Sequence, residues 1–541
     1  MEHNLPVTIL SWAVAILPLV LLFVMLIGLQ WSVVRSGLIA LAVTAMTALL
    51  AFDTSLQGIL VGLGRGAWNS LEVVAVIWAA LLLYRICLHA GAFEAVKTGV
   101  KKISENYLYL ILVVGWVFVS FLQGVAGFGT PVAIVAPILI GLGVKPAFAV
   151  IIPLISQGWS NLFGALGIGW TVTTGLVNID SEPLTILYST ILLAIAAGTS
   201  GFFVAWLYAG WDGIKEGWLL IVTASILMGG GQVLTAQWNP LLGVTIPTFI
   251  TLGVMLLFAK MDRFKGASSN QKHSSILGND EQESDFKNKG KLTLNQALVP
   301  FYFLTAVTVA VLGLRDVSDF LSQIEIPGFD FPGVTTGYDY TTQSVQNFSP
   351  IAVFTNPTVY LLLSSLAGYV WYKSKDCYKR TDNLGKNMLK GIVSNAVSPT
   401  IAIFTFLMLS QLLLVSGQNT VLALGISAVA SPVVYAALAP WIGAASVFLT
   451  SSTVSGNTLF VPLHQSIVQS MSGMSLNQMI AHQSAGGGIA NAIGPSNVVL
   501  GASTANAEEK QGIIYKYSFY YCILTIILFS IFAVIMHLLL P

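Results

Sequence analysis

The residues of this chain best placed to do chemistry are neutral. Gln123, Gly127, Gly129 and Thr130 fall within the run Gln123–Pro131, and Gln157, Ser160 and Asn161 lie in the next apolar stretch. In the second half Ser452, Thr453, Ser455 and Asn457 crowd one short run, with Ser484, Asn491 and Ser496 in the next. Side-chain amides, hydroxyls and glycine main chain can hydrogen-bond a carboxylate or a hydroxyl, or replace the water around a cation. The flanking residues are apolar and of membrane length. Lipid tolerates a helix only when every N–H and C=O has a partner, so interrupted helices at that depth must face protein or a wet cavity. Two such regions, about 123–170 and 450–504, one in each half, mark the binding site of a secondary carrier. The plainer reading is that small and polar residues only join helices to one another. The glycine cluster before Pro131 favours the break, because proline fits a helix's first turn and not its interior. The half-helix that follows would turn its free N–H groups and positive dipole end toward an anion.

Coupling candidates are Arg85, Gln123, His464 and His482. Arg85 lies inside an apolar stretch, where it could bond a planar carboxylate or snorkel to the membrane edge. The histidines flank the second polar region and could carry a proton or pack as polar core. No HExxH, GxSxG, Walker A or GxGxxG setting is present, so an enzyme is not expected. Cys87, Cys377 and Cys522 are scattered, which suggests neither a metal site nor a disulfide frame, and no cofactor is expected.

The elements that must position these residues are membrane helices. The 541 residues are 55% hydrophobic and 9% charged, with mean hydropathy +0.80, against about 25% charged in soluble domains. Net charge is +1, which gives no reason to expect nucleic acid. Apolar runs predict an all-α polytopic membrane protein of about 12–16 transmembrane or re-entrant segments. Among them are Thr8–Leu29, Leu71–Ala90, Leu184–Ala209, Gly217–Thr235 and Ile351–Tyr372. Residues 1–260 form the first half, 261–296 a polar loop and 297–541 the second half. Lysines and arginines (Lys97, Lys101 and Lys102; Lys260 to Lys291; Lys373 to Lys390) put three loops, 261–296 included, in the cytoplasm. Acidic Asp316–Tyr340 reads as external, as do both termini. Ile77–Val100 aligns without gaps to Ile403–Ile426, with Gly91 on Gly417 and Gly99 on Gly425, each pair 326 residues apart. With the charge map, this predicts two inverted-topology repeats.

The runs Gly124–Ile134, Gly141–Pro146 and Phe163–Ile168, then Ser455–Phe460 and Ile493–Val498, resemble the signatures of the bacterial and archaeal L-lactate permease family. That resemblance covers most of the chain. It implies proton-coupled uptake of lactate, often glycolate, by a multi-pass inner-membrane carrier of about twelve to fourteen helices. The chain departs from the family pattern at three charged positions: Gln123 replaces an acidic residue, Thr453 an aspartate, and a lysine is missing near Asn491. A neutral site could instead hold sodium through carbonyls and hydroxyls. The resulting expectation is a secondary active transporter importing a small monocarboxylate, lactate or a related 2-hydroxy acid, by proton or sodium symport with alternating access. The alternatives are a carrier for a sulfonate or dicarboxylate, an anion channel, or a membrane-embedded enzyme.

Overall fold

The computed structural model describes residues 4–25, 29, 31–127, 129–268, 270–271, 274–278, 292–378 and 383–539. Phe128 of the first polar break lies outside the described residues, as do Lys272, Lys287, Lys289, Lys291, Lys379 and Arg380 of the cytoplasmic assignment. Among the described residues, eight helices are long and apolar enough to cross a membrane, or ten if each bent pair counts as one span. The chain is therefore an all-α membrane protein with interrupted helices. Thr453–Ser470 and Leu476–Ala490 are not among the eight, yet most of their residues are buried. Protein, not lipid, surrounds them, so they need no apolar exterior.

Element order repeats along the chain. Ile9–Phe23, Val33–Leu50 and Leu56–His89 precede a short helix, Ala92–Lys101. Val299–Leu312, Pro357–Ser374 and Leu384–Val415 likewise precede Gln418–Val429. Tyr107–Val125, Thr130–Gly141, Pro146–Ser156, Gly164–Leu176 and a long helix from Glu182 then follow in the first half. Pro432–Thr450, Thr453–Ser470, Leu476–Ala490, Pro495–Thr504 and Gln511–Leu539 follow in the second. Gly91 and Gly417, paired by the internal alignment, end their long helices with φ of +74° and +76°, a left-handed cap that glycine takes without strain. Gly143 and Gly473, at φ +87° and +81°, occupy matching places after Thr130–Gly141 and Thr453–Ser470.

Leu56–His89 and Leu384–Val415 pack against each other antiparallel. A Cβ on Gly66 would meet Met408 Cα at 2.3 Å, and one on Gly62 would meet Leu412 Cα at 3.1 Å. At the other end, a Cβ on Gly391 would meet Arg85 Cζ at 2.5 Å. Small residues here let two main chains approach closely, so that dispersion supplies the attraction lipid cannot.

Two expectations shift. The helix expected to begin at Leu71 begins at Leu56, with Arg65 buried against protein inside it. Leu184–Ala209 and Gly217–Thr235, expected as two spans, are two helices joined at a sharp turn at Ala209 and Gly210 (φ +60°). A Cβ on Gly229 would then meet Ala194 Cα at 2.9 Å, and Ser225 is the nearest neighbour of Gly198. Ile351 opens no span. It pairs with Ile326 in a twisted antiparallel ribbon whose register continues through Phe329↔Phe348 to Val334↔Thr342. The aromatic and β-branched residues there suit a strand, and the helix starts only at Pro357, capped by Asn356. The ribbon lies over one end of Leu56–His89. Arg65 donates to Gln343 O (3.1 Å) between the rings of Phe331 and Phe348, and Trp68 Nε1 donates to Ser349 O (2.9 Å).

The glycine seam makes a direct forecast. Gly66→Ala forces a methyl into Met408 main chain and should destabilise the purified protein by about 1–3 kcal/mol. Gly253→Ala, which meets nothing within 4 Å on a helix interior, should leave the thermal midpoint unchanged or raise it. Thermal unfolding of both variants in detergent checks this.

Candidate functional site

Each break follows from residues that leave the helical region. Gly127 (φ +57°) and Gly129 (φ +78°) turn the chain before Thr130–Gly141 starts with Pro131 in its first turn. Pro146–Ser156 ends at Gln157 and gives one tight turn, Gly158–Ser160. Ala165, Leu166 and Gly167 then take φ of 47°, 53° and 75°, and the helix through Leu176 leaves at 49° to its partner. A left-handed Ala or Leu costs about 1–2 kcal/mol, which the surrounding packing must offset. In the second half Ser451 (φ +56°) ends Pro432–Thr450, and Ser452 caps Thr453–Ser470 by accepting from Ser455 N. Leu476–Ala490 passes through Asn491–Ile493 and Gly494 into Pro495–Thr504.

The breaks of the two halves bond to one another. Asn161 Nδ2 donates to Gly488 O (2.9 Å) and to Gly158 O (3.2 Å), while its Oδ1 accepts from Gln123 Nε2 (2.8 Å). Asn497 Nδ2 donates to Ser451 O and Asn491 O, both at 3.2 Å, and to Asn491 Oδ1. Ser451 Oγ accepts from Ser496 N (3.1 Å). A Cβ on Gly488 would sit 2.8 Å from Gly158 O, so only glycine permits this approach.

Two cavities adjoin at this cluster and share Ser451, Ser452 and Asn497 as walls. The smaller, about 40 Å³, is lined by Gln123, Gly127, Gly129, Gln157, Asn161, Thr453 and Asn491. These residues sit at or beside the C-terminal ends of Val119–Val125, Pro146–Ser156 and Leu476–Ala490, with Ser451 ending Pro432–Thr450. The larger, a vestibule of about 470 Å³, runs from Thr130, Ser452, Ser455 and Ser496 to Tyr84 and Arg85. Its inner end meets the N-terminal ends of Thr130–Gly141, Thr453–Ser470 and Pro495–Thr504. Four helix C-termini thus meet the smaller cavity, while the three N-termini border both spaces through Gly129, Thr453 and Asn497 on one side and Thr130, Ser455 and Ser496 on the other. Among the described residues Arg85 is the sole charged side chain lining the vestibule, its Nη2 held by Gly391 O (3.0 Å) and its Nε without a partner.

Other expected residues lie outside both cavities. Ser160 donates to Gln157 O (2.8 Å). Asn457 Nδ2 donates to Thr173 Oγ1 (3.0 Å) and Ser484 Oγ (2.9 Å), so this amide joins three helices and lines neither space. Ser484 stands inside a continuous helix, six residues before its end, and the break equivalent to Gln157 is Asn491. His464 is bound on both nitrogens: Nδ1 to Tyr435 Oη (2.7 Å) and Nε2 to Gln483 Oε1 (3.0 Å), while Gln483 Nε2 donates to Ser446 Oγ (3.0 Å). That chain suits the neutral tautomer with hydrogen on Nε2. His482 is fully buried, with neither nitrogen partnered among the described residues. Ser451 and Asn497 line both cavities without having been singled out, although each lies beside a residue that was. Glu72 belongs to a separate cavity of about 50 Å³ walled partly by ribbon residues, and accepts from Asn356 Nδ2 (2.8 Å).

Comparison with known proteins follows the same residues. The profile of the L-lactate permease family matches residues 11–540. An L-lactate permease of Halalkalibacterium halodurans is 26% identical over 540 residues, covering 97% of each chain. The glycolate permease GlcA of Escherichia coli K12 is 25% identical over 540 residues, covering 94% of this chain and 92% of its own. Among solved structures, the YdaH transporter of Alcanivorax borkumensis aligns over 88% of this chain and 86% of its own with a TM-score of 0.40 and 13% identity, too distant to argue from. Composition, interrupted helices and the end-to-end profile match agree: this multi-pass membrane protein belongs to the L-lactate permease family.

Proposed function

We propose that the chain imports a small monocarboxylate, lactate or a related 2-hydroxy acid, by cation symport with alternating access. One observation carries this reading: the N-terminal ends of three half-helices converge on a cavity whose only charged lining side chain, among the described residues, is a cation, Arg85. The positive dipole ends of those half-helices suit a carboxylate. The hydroxyls of Ser452, Ser455 and Ser496 suit the 2-hydroxyl. Arg85 lies toward the vestibule mouth and draws anions inward through its field. The membership of the family, and the lactate and glycolate named for its members, support the same substrate class.

The vestibule opens beside the end of Leu56–His89 that leads into the Lys-bearing helix Ala92–Lys101, the cytoplasmic side by the positive-inside rule. The ribbon from Glu325 to Ala352 then covers the external side, and this conformation faces inward. The antiparallel seam between the aligned helices supports an inverted repeat, with movement of one bundle against the other as the transport step.

Proteoliposomes should take up labelled L-lactate under an imposed pH or sodium gradient, with glycolate competing better than a dicarboxylate or a sulfonate. No uptake under either gradient, with glycolate and acetate equally silent, would sink the substrate class. Arg85→Gln should raise the half-saturating lactate concentration by about threefold to tenfold at unchanged membrane abundance, and Arg85→Lys should restore most of the affinity. An unaltered saturation curve in Arg85→Gln would show that the vestibule charge plays no part in attraction.

A further inference from the structure

We infer that the small cavity beside the vestibule is a binding site for a dehydrated monovalent cation, sodium. The argument begins with the orientation of one amide. Two main-chain carbonyls, Gly158 O and Gly488 O, hold Asn161 Nδ2, so its Oδ1 must be the atom that meets Gln123. Gln123 then has to present Nε2 to that oxygen, which leaves its Oε1 turned away without a partner among the described residues. The hydrogen-bond network fixes this orientation, since flipping either amide would set N–H against N–H or C=O against C=O. Thr453 Oγ1 and Gln157 Oε1 also have no partner, and all three residues line the same cavity at 5% exposure or less. Asn497 repeats the pattern, its Nδ2 held by Ser451 O and Asn491 O.

The cavity therefore concentrates unpaired oxygen. Buried polar atoms are almost always bonded, so several lone pairs left open around one small space point to an occupant that all of them can contact. An anion would meet these open acceptor oxygens and four helix C-termini, which outnumber the three helix starts bordering the space. A cation satisfies the same set at once. The space of about 40 Å³ admits an ion with a water and is too small for a three-carbon acid. Among the described residues no carboxylate, histidine or cysteine lines it to store a proton on a side chain, and none supplies an acidic ligand to compensate a divalent ion. Neutral oxygens in a narrow space suit sodium.

Resting on the carrier reading, the position also assigns a role. Ser451 and Ser452 wall both cavities, so an ion here lies next to an anion at the N-terminal ends, and each raises the affinity of the other.

The test uses the purified full-length chain with no organic acid present. Its thermal midpoint is followed against sodium, potassium and choline chloride at equal ionic strength. Sodium should raise the midpoint saturably, choline should not, and potassium should act only at much higher concentration. Thr453→Val removes a hydroxyl that bonds nothing in the protein, so its midpoint in choline should equal that of the parent. Its half-saturating sodium concentration should rise at least about tenfold. Gln157→Met should act in the same direction. Absence of a sodium-specific shift in the parent, or a shift unchanged in both variants, overturns the cation site, and a space holding water alone would give that result. Stabilisation by L-lactate in choline is measured separately. It reports on the substrate reading whatever sodium does.

Discussion

A peptide group that leaves a helix away from water has to be bonded by something else, and the whole arrangement of this protein answers that requirement. Four half-helices end around one small cavity, and side chains of neighbouring breaks take up groups they release, in one case across the two halves. Asn161 holds Gly488 O, Asn497 holds Ser451 O, and Ser451 Oγ holds Ser496 N. The glycines at 158 and 488 exist to let those main chains touch. The bond from Asn161 to Gly488 O ties the breaks of the two halves together.

The same geometry sorts charge without using charged residues. A helix that stops and another that starts across a short gap present opposite dipole ends, so a cluster of breaks creates adjacent negative and positive regions from main chain alone. The four C-terminal ends gather around the small cavity, and the three N-terminal ends border both it and the vestibule. Such fields are fixed, need no proton and do not change with pH. A site built this way can favour one sign of charge without an ionisable side chain, provided the breaks keep their register.

The sequence exposed these breaks because Gly127, Gly129, Asn161, Thr453 and Asn491 sit in runs otherwise made of Ile, Leu and Val. Composition alone marks such a position as interrupted. It does not say which way a side chain points, and that is why Asn457 and Ser484 read as site residues when they tie three helices together. Apolar content also failed as a boundary. Ile351 looked like the start of a span but belongs to a ribbon, and Leu71 looked like the start of one that in fact begins at Leu56. Alternation over strands of two to four residues is too brief to distinguish from a helix entry. Gly91 and Gly417, paired in the sequence, both end long helices at positive φ, a position glycine takes without strain.

The glycine seam between Leu56–His89 and Leu384–Val415 leaves little to trim. Where main chain meets main chain, as at Gly66, substitution can only add bulk, so sequence drift at such a position is tolerated in no direction. A contact made of backbone also lacks interlocking knobs, which favours sliding along the axis over separation across it. The central joint of this protein is in that sense gauged by its main chain, and its spacing is set by what two bare backbones allow.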